Sequence, residues 1–125
     1  MKEKICNINI EEIRAQILNN KGLTITFCNN YNFQKGYAVG IKNYKTISVD
    51  FKNMTKDQEN IISDSILEIV NEFDEKIGVW YDEKDKKLYI DKIKIYYNKK
   101  HALKIAKSNN QKAIWDFKHK KEIWI

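Results

Sequence analysis

The run at residues 55–74, TKDQENIISDSILEIVNEFD, is the strongest constraint in the chain. Ile62, Ile66, Ile69, Val70 and Phe73 recur at intervals of three and four, the spacing that gathers side chains into one stripe of an α-helix. Thr55 and Gln58 form a capping box at its start, each side chain placed to accept from the other's backbone N–H. The pattern predicts a helix over residues 56–74. Its opposite face carries Glu59, Asp64, Glu68, Glu72, Asp74 and Glu75, an acidic surface that belongs in water. A helix apolar on one side only must lay that side on other elements, and most of the remaining chain reads as strands.

Residues 23–28, 37–41 and 45–51 read as three strands. In the last, Ile47, Val49 and Phe51 face one side and Thr46, Ser48 and Asp50 the other. A loop rich in turn formers, also carrying Tyr31 and Phe33, spans residues 29–36, and Asn43-Tyr44 reads as a turn. Residues 77–81 and 88–97 form a hairpin about a turn at 82–87. Leu88 and Ile90 differ in parity from Ile93, Ile95 and Tyr97. A bulge near Asp91-Lys92 is therefore expected, to bring both sets to one face. Upstream of all these, Asn9 and Glu12 make a second capping box, and Ile10, Ile13 and Ile17 line a helical face. Asn20-Lys21-Gly22 is expected to close that helix, with Gly22 able to take positive φ.

The last 28 residues, 98–125, hold a further helix and a hairpin. Asn98 is a good N-cap, and Ala102, Leu103, Ile105 and Ala106 follow at helical spacing. Ala102 and Ala106 stack on one face and allow a close approach to a neighbour. Asn109-Asn110 reads as the stop, because Asn tolerates left-handed backbone. Ala113, Trp115 and Phe117 then point one way and Ile114 and Asp116 the other, before a polar turn at 118–121 and a returning strand at 122–125. Trp115 and Phe117 read as core. The order is helix, three strands, helix, two strands, helix, two strands. Short turns favour antiparallel pairing, so the expected class is α+β: a single domain over 1–125, an antiparallel sheet of hairpins with about three helices packed on one face.

At 125 residues one core is expected. No run is long and apolar enough for a membrane span, and the start MKEKIC lacks the apolar run of a signal peptide. The expected setting is the cytoplasm of the host cell, where Cys6 and Cys28 stay reduced and act as small buried hydrophobes. Cys6, Cys28, His101 and His119 lack the paired spacings of a zinc site. The Asp82-Glu83-Asp85 turn lacks the calcium-loop glycine. Gly36 and Gly40 do not make a phosphate loop, and Gly40 reads as a bulge or a close packing contact. His101 and His119 read as exposed bystanders among lysines. No catalytic residue, metal site or cofactor is expected, and the chain reads as a binding protein more than an enzyme.

The charge is distributed unevenly. The formal net charge is +6. Residues 1–75 hold 9 Lys+Arg against 11 Asp+Glu, a net of −2, and residues 76–125 hold 14 against 6, a net of +8. Only one of the basic residues is Arg, Arg14, so base reading by forked donors is disfavoured and any nucleic-acid contact would be to phosphate. Basic and aromatic residues interleave in the C-terminal half. The candidate partner-binding residues are Lys99, Lys100, Lys104, Lys107, Lys118, Lys120 and Lys121, with Tyr96, Tyr97 and Trp124 as apolar anchors.

The segment at 102–117, ALKIAKSNNQKAIWDF, resembles one found in small uncharacterised proteins of phages and mobile elements. There, a helix with an alanine repeat runs through an Asn-x-Gln turn into an A-I-x-D strand, matched here by Ala102, Ala106, Asn109, Gln111, Ala113, Ile114 and Asp116. The resemblance implies a setting and no reaction. Together with the polarised charge, it leads to the expectation of an anti-CRISPR-like inhibitor that occludes a protein or ribonucleoprotein complex of host defence. Two other readings stay open: a nucleic-acid-binding module contacting phosphates through its lysines, and a small-ligand binder or enzyme with a pocket near residues 29–36.

Overall fold

The computed structural model describes residues 10–20, 22–25, 35–72 and 76–125. The chain is α+β, and its described residues form three α-helices and a six-stranded antiparallel sheet. Helix α1 is Ile10–Asn20, α2 is Lys56–Glu72 and α3 is Lys99–Ser108. The strands are β1 (Gly22–Ile25), β2 (Tyr37–Ser48), β3 (Ile77–Asp82), β4 (Lys87–Tyr96), β5 (Ala113–Asp116) and β6 (Lys121–Trp124), in the order β1-β3-β4-β2-β5-β6. Asn9, Phe73, the two cysteines and residues 29–34 of the aromatic loop lie outside the described residues.

Local signals become local structure wherever their partners are near in sequence. The Thr55 N–H donates to Gln58 Oε1 at 2.9 Å and the Gln58 N–H to Thr55 Oγ1 at 3.2 Å, which closes the capping box of α2. The Asn98 side chain accepts from the His101 N–H at 2.9 Å and starts α3. Helix α3 ends in a Schellman motif: the Gln111 N–H donates to Ala106 O at 2.9 Å and the Asn110 N–H to Lys107 O at 3.1 Å, with Asn110 at φ 57°.

All three helices pack on one face of the sheet. Ile13 and Ile17 of α1 and Ile62, Ile66, Ile69 and Val70 of α2 bury against Ile77, Val79 and Tyr81 of β3 and Leu88 and Ile90 of β4. On the same face, further along the strands, Ala102 and Ala106 of α3 close against Val39 and Ile114, all four almost fully buried. Tyr81 also carries its hydroxyl inward, where it donates to Val49 O at 2.9 Å. Burial, above all, pushes its phenol above the usual value.

Two expectations are corrected. Asn43-Tyr44 is not a turn between two strands. Residues 37–48 form one long strand, β2, whose register against β4 shifts between Gly40 and Lys42 and again between Asn43 and Lys45. Turn formers inside a continuous strand are absorbed as irregularities, each of which bends it and increases its twist. Nor does a bulge interrupt β4 at Asp91-Lys92. The strand runs in regular register on β3, from Asp82↔Lys87 to Ile77↔Lys92. Ile93 and Ile95 stay on the second face and pack there with Ala38, Phe117 and Trp115, so the parity change marks a sheet that is apolar on both sides. The first helix ends at Asn20, and Gly22 is the first residue of β1, opposite Trp80.

Candidate functional site

The basic residues of the C-terminal unit occupy the outer side of α3 and the turn between β5 and β6. Lys99, Lys100, Lys104 and Lys107 are all exposed, because the helix turns Ala102 and Ala106 inward and its lysines outward. Lys118, Lys120 and Lys121 are also exposed. Among the described residues none of these seven lysines has a carboxylate within 4.0 Å. The turn itself is built by Asp116, whose Oδ1 accepts from the Lys118 N–H at 3.0 Å and the His119 N–H at 3.2 Å.

His119 is exposed but not a bystander, since its Nδ1 lies 2.7 Å from Asp116 Oδ2. Burial alone would raise the Asp116 carboxyl, but the His119 side chain, together with the backbone N–H groups of the turn, holds it below the usual range. An acid–imidazole pair suits acid–base work only with a third reacting group in reach. Here its partners are those of a turn closure. His101 stands edge-on to Tyr96, ring centroids 5.2 Å apart.

The predicted anchors divide. Tyr96 is half-buried on the helix side, beneath α3. Tyr97 is 66% exposed and directly precedes the α3 cap. Its ring lies against Gly36, whose carbonyl accepts from the Phe117 N–H at 3.1 Å. Tyr97, the β5–β6 turn and the start of α3 therefore share one end of the sheet, with Lys35 Nζ 5.8 Å from the Tyr97 ring. Trp124, 58% exposed, stands elsewhere: it pairs with Ala113, on the face opposite the helices, 6.3 Å from Trp80.

That second face carries a cleft absent from the expectations. The sheet curls so that its β5–β6 edge returns towards β3. Lys112 Nζ reaches Asp82 at 3.8 Å and Asp85 at 3.9 Å, and Trp80 meets Trp124 edge to face. Inside the curl is a cavity of about 60 Å³. Its floor is made of small residues, Ala38, Gly40, Gly78 and Ala113, and its walls of Trp80, Trp115 and Ile93. Among the described residues, the polar side chains of Asp91, Gln111 and Glu122 line it. A Cβ at Gly40 would lie 2.4 Å from Oε1 of the flexible Gln111 side chain, so the strand irregularity at Gly40 comes with a close packing contact. At Gly78 a Cβ would lie 2.7 Å from Ile93 Cγ2.

Asp91 is the least ordinary of these residues. It is 6% exposed, and its Oδ1 accepts from Asn43 Nδ2 at 2.7 Å. Asn43 sits opposite it across the β2–β4 ladder. Burial pushes the Asp91 carboxyl up to about 6, with the Asn43 hydrogen bond opposing the rise. The signal that points to this site is the carboxylate itself, set in the apolar run LYIDKIKI. Its position over two glycines from other strands depends on the strand order. Residues 35 and 36, the described end of the aromatic loop, are not part of its described lining.

Among the described residues no three of His, Cys, Asp and Glu gather as a metal set, and no helix is long and apolar enough to cross a membrane. No protein-family model matches the chain, and comparison with curated proteins and with solved structures finds no significant match.

Proposed function

We propose that the chain is a small non-enzymatic binding protein that inhibits a larger complex by covering part of its surface, with the basic end of the sheet as the covering face. One observation carries the reading. Lys99, Lys100, Lys104 and Lys107 project from a helix that is seated by two fully buried alanines, and none has a carboxylate in reach among the described residues. Lysines that serve only solubility are commonly interleaved with acids. A block of one sign held on a rigid element steers an acidic partner towards it. Tyr97, beside Lys99 and the β5–β6 turn, is the apolar anchor of that face. Trp124, on the opposite side of the sheet, does not belong to it.

The partner is an acidic protein surface or the RNA of a ribonucleoprotein. That it belongs to host defence follows from the resemblance of residues 102–117 to proteins of phages and mobile elements. The test is co-purification of the tagged chain from cells carrying a candidate defence system, with the activity of that system measured in parallel. Expected is a captured complex whose activity falls, and release of both effects when Lys99, Lys100, Lys104 and Lys107 are changed to Glu. If nothing co-purifies and no system loses activity, the reading fails. Gel shifts on free RNA and DNA at two salt concentrations separate the module that binds phosphate alone. Such a module binds in the absence of any protein partner, with affinity falling steeply as salt rises.

A further inference from the structure

We propose that the cleft on the helix-free face is a binding site for an alkylguanidinium group, its flat cation taken between the carboxylates of Asp91 and Glu122 and its stem laid along the indoles. The inference is independent of the basic face, which is on the other side of the sheet.

Four observations converge on it. The first is sign. In a chain with 23 Lys+Arg and a net charge of +6, no basic side chain among the described residues lines the cavity, while Asp91 and Glu122 both do. The outer part of the cleft continues past Trp80, Glu122 and Trp124 to Asp82, Glu83 and Asp85, where Lys112 reaches Asp82 and Asp85 and Lys52 reaches Glu83 at 3.4 Å. The outer carboxylates are thus compensated by lysines, and the negative sign belongs to the inner lining.

The second is the state of Asp91. Its single described partner is a neutral amide on Oδ1, and Asp91 lines the cavity, so its second oxygen is the one available to a ligand. A buried carboxylate without a cation beside it is unfavourable, and an incoming cation supplies what the fold omits. The raised proton affinity of Asp91 is the same fact seen from the fold.

The third is the nature of the walls. Trp80 stacks on Tyr89 at 5.3 Å with 23° between the rings, and Trp124 meets Trp80 at 75°. Ring faces attract cations, and the planar, weakly hydrated guanidinium stacks on indoles and forks to carboxylates as a compact ammonium does not. The fourth is size. A cavity of about 60 Å³ holds roughly four or five water-sized centres. That is room for one small planar head group in the inner part of the cleft.

The indoles are the reporters. The full chain is titrated at neutral pH with agmatine, with a short arginine peptide, and with the same peptide carrying citrulline or lysine in place of arginine, following tryptophan emission. A saturable change with a guanidinium is expected, none with citrulline, and binding weakened at least tenfold in Asp91→Asn. That substitution keeps the shape and the Asn43 hydrogen bond and removes only the charge. A response to agmatine assigns the cleft to a free guanidine. A response to the arginine peptide without one to agmatine assigns it to an arginine side chain of a partner. The proposal is overturned by no response to either up to about 10 mM, a range that captures millimolar affinity. It is equally overturned by citrulline or lysine binding as well as arginine, or by Asp91→Asn binding unchanged.

Discussion

The carboxyl of Asp91 is enclosed by the curl of the sheet with one neutral donor, Asn43, at 2.7 Å, and its proton affinity shows the strain of that position. In the folded chain burial pushes it up to about 6, whereas in the unfolded chain it titrates in the usual carboxylate range. Between those two values the folded state binds more protons than the unfolded one, so stability falls as pH rises through that window and stays lower above about 6. Each tenfold change in proton affinity is about 1.4 kcal/mol, so the loss is on the order of 2–3 kcal/mol and smaller where water enters the cleft. Asp91→Asn is therefore expected to stabilise the protein at pH 7.5 by up to that amount, to leave it nearly unchanged at pH 4, and to remove that part of the pH dependence. Urea unfolding at the two pH values checks it, and a variant destabilised at pH 7.5 contradicts it. A residue that lowers stability at neutral pH is one to examine for function. Gly78 next to it makes a second prediction at this scale. A methyl there would lie 2.7 Å from Ile93 Cγ2, on a β-branched side chain with little freedom at χ1. Gly78→Ala should cost about 1–3 kcal/mol. The same change made in an Ile93→Ala background should cost far less, a coupling that a double-mutant cycle reads directly.

Helix α3 and the β5–β6 hairpin make up the element that carries most of the candidate function, and α3 is seated by its smallest side chains. Ala102 and Ala106 are 0% exposed, closed against Val39 and Ile114. Ala106→Leu inserts three carbons where no space remains, and should lower stability by about 1–3 kcal/mol while lifting the helix and its lysines off the sheet. Thermal melts measure the first effect, and loss of partner capture the second. Elements of this kind were legible in the residues because their determinants are local: the Asn98 cap, the alanine pair four apart, the left-handed Asn110 and the Thr55–Gln58 box all act within a few positions. The single strand β2 was not legible. Asn43-Tyr44 has the composition of a turn, and only pairing with β4 on one side and β5 on the other shows that the chain continues through it. The cleft was hidden for the same reason. Trp80, Asp91, Gln111 and Gly40 come from separate elements, and the order β1-β3-β4-β2-β5-β6 brings them together. No periodicity within one strand encodes a neighbour that arrives from another.

At the scale of the whole molecule, the charge is sorted by the fold as well as by the chain. Asp57, Asp64, Glu68 and Glu72 are exposed on α2, and Lys99, Lys100, Lys104 and Lys107 are exposed on α3, both helices on one face of the sheet. The result is a molecule with an acidic helix and a basic helix seated on different parts of one sheet face, which orients it in the field of a charged partner before contact. Interactions of this kind act mainly on encounter, because exposed charges are screened beyond about 8–10 Å at physiological salt. Changing the four α3 lysines to Glu should therefore slow association with a captured partner by about tenfold or more at low salt, and change dissociation much less. The difference between variant and native chain should shrink as salt rises towards 1 M, where screening reaches within about 3 Å. Each site is exposed and outside the core, so the melting temperature should move little. Glu68→Lys with Glu72→Lys, on α2, is the matched control: it alters the net charge in the opposite sense and should leave association equal or faster. Stopped-flow mixing at two ionic strengths distinguishes these outcomes. An association rate indifferent both to salt and to the α3 substitutions would mean that the basic helix is not the face the partner meets.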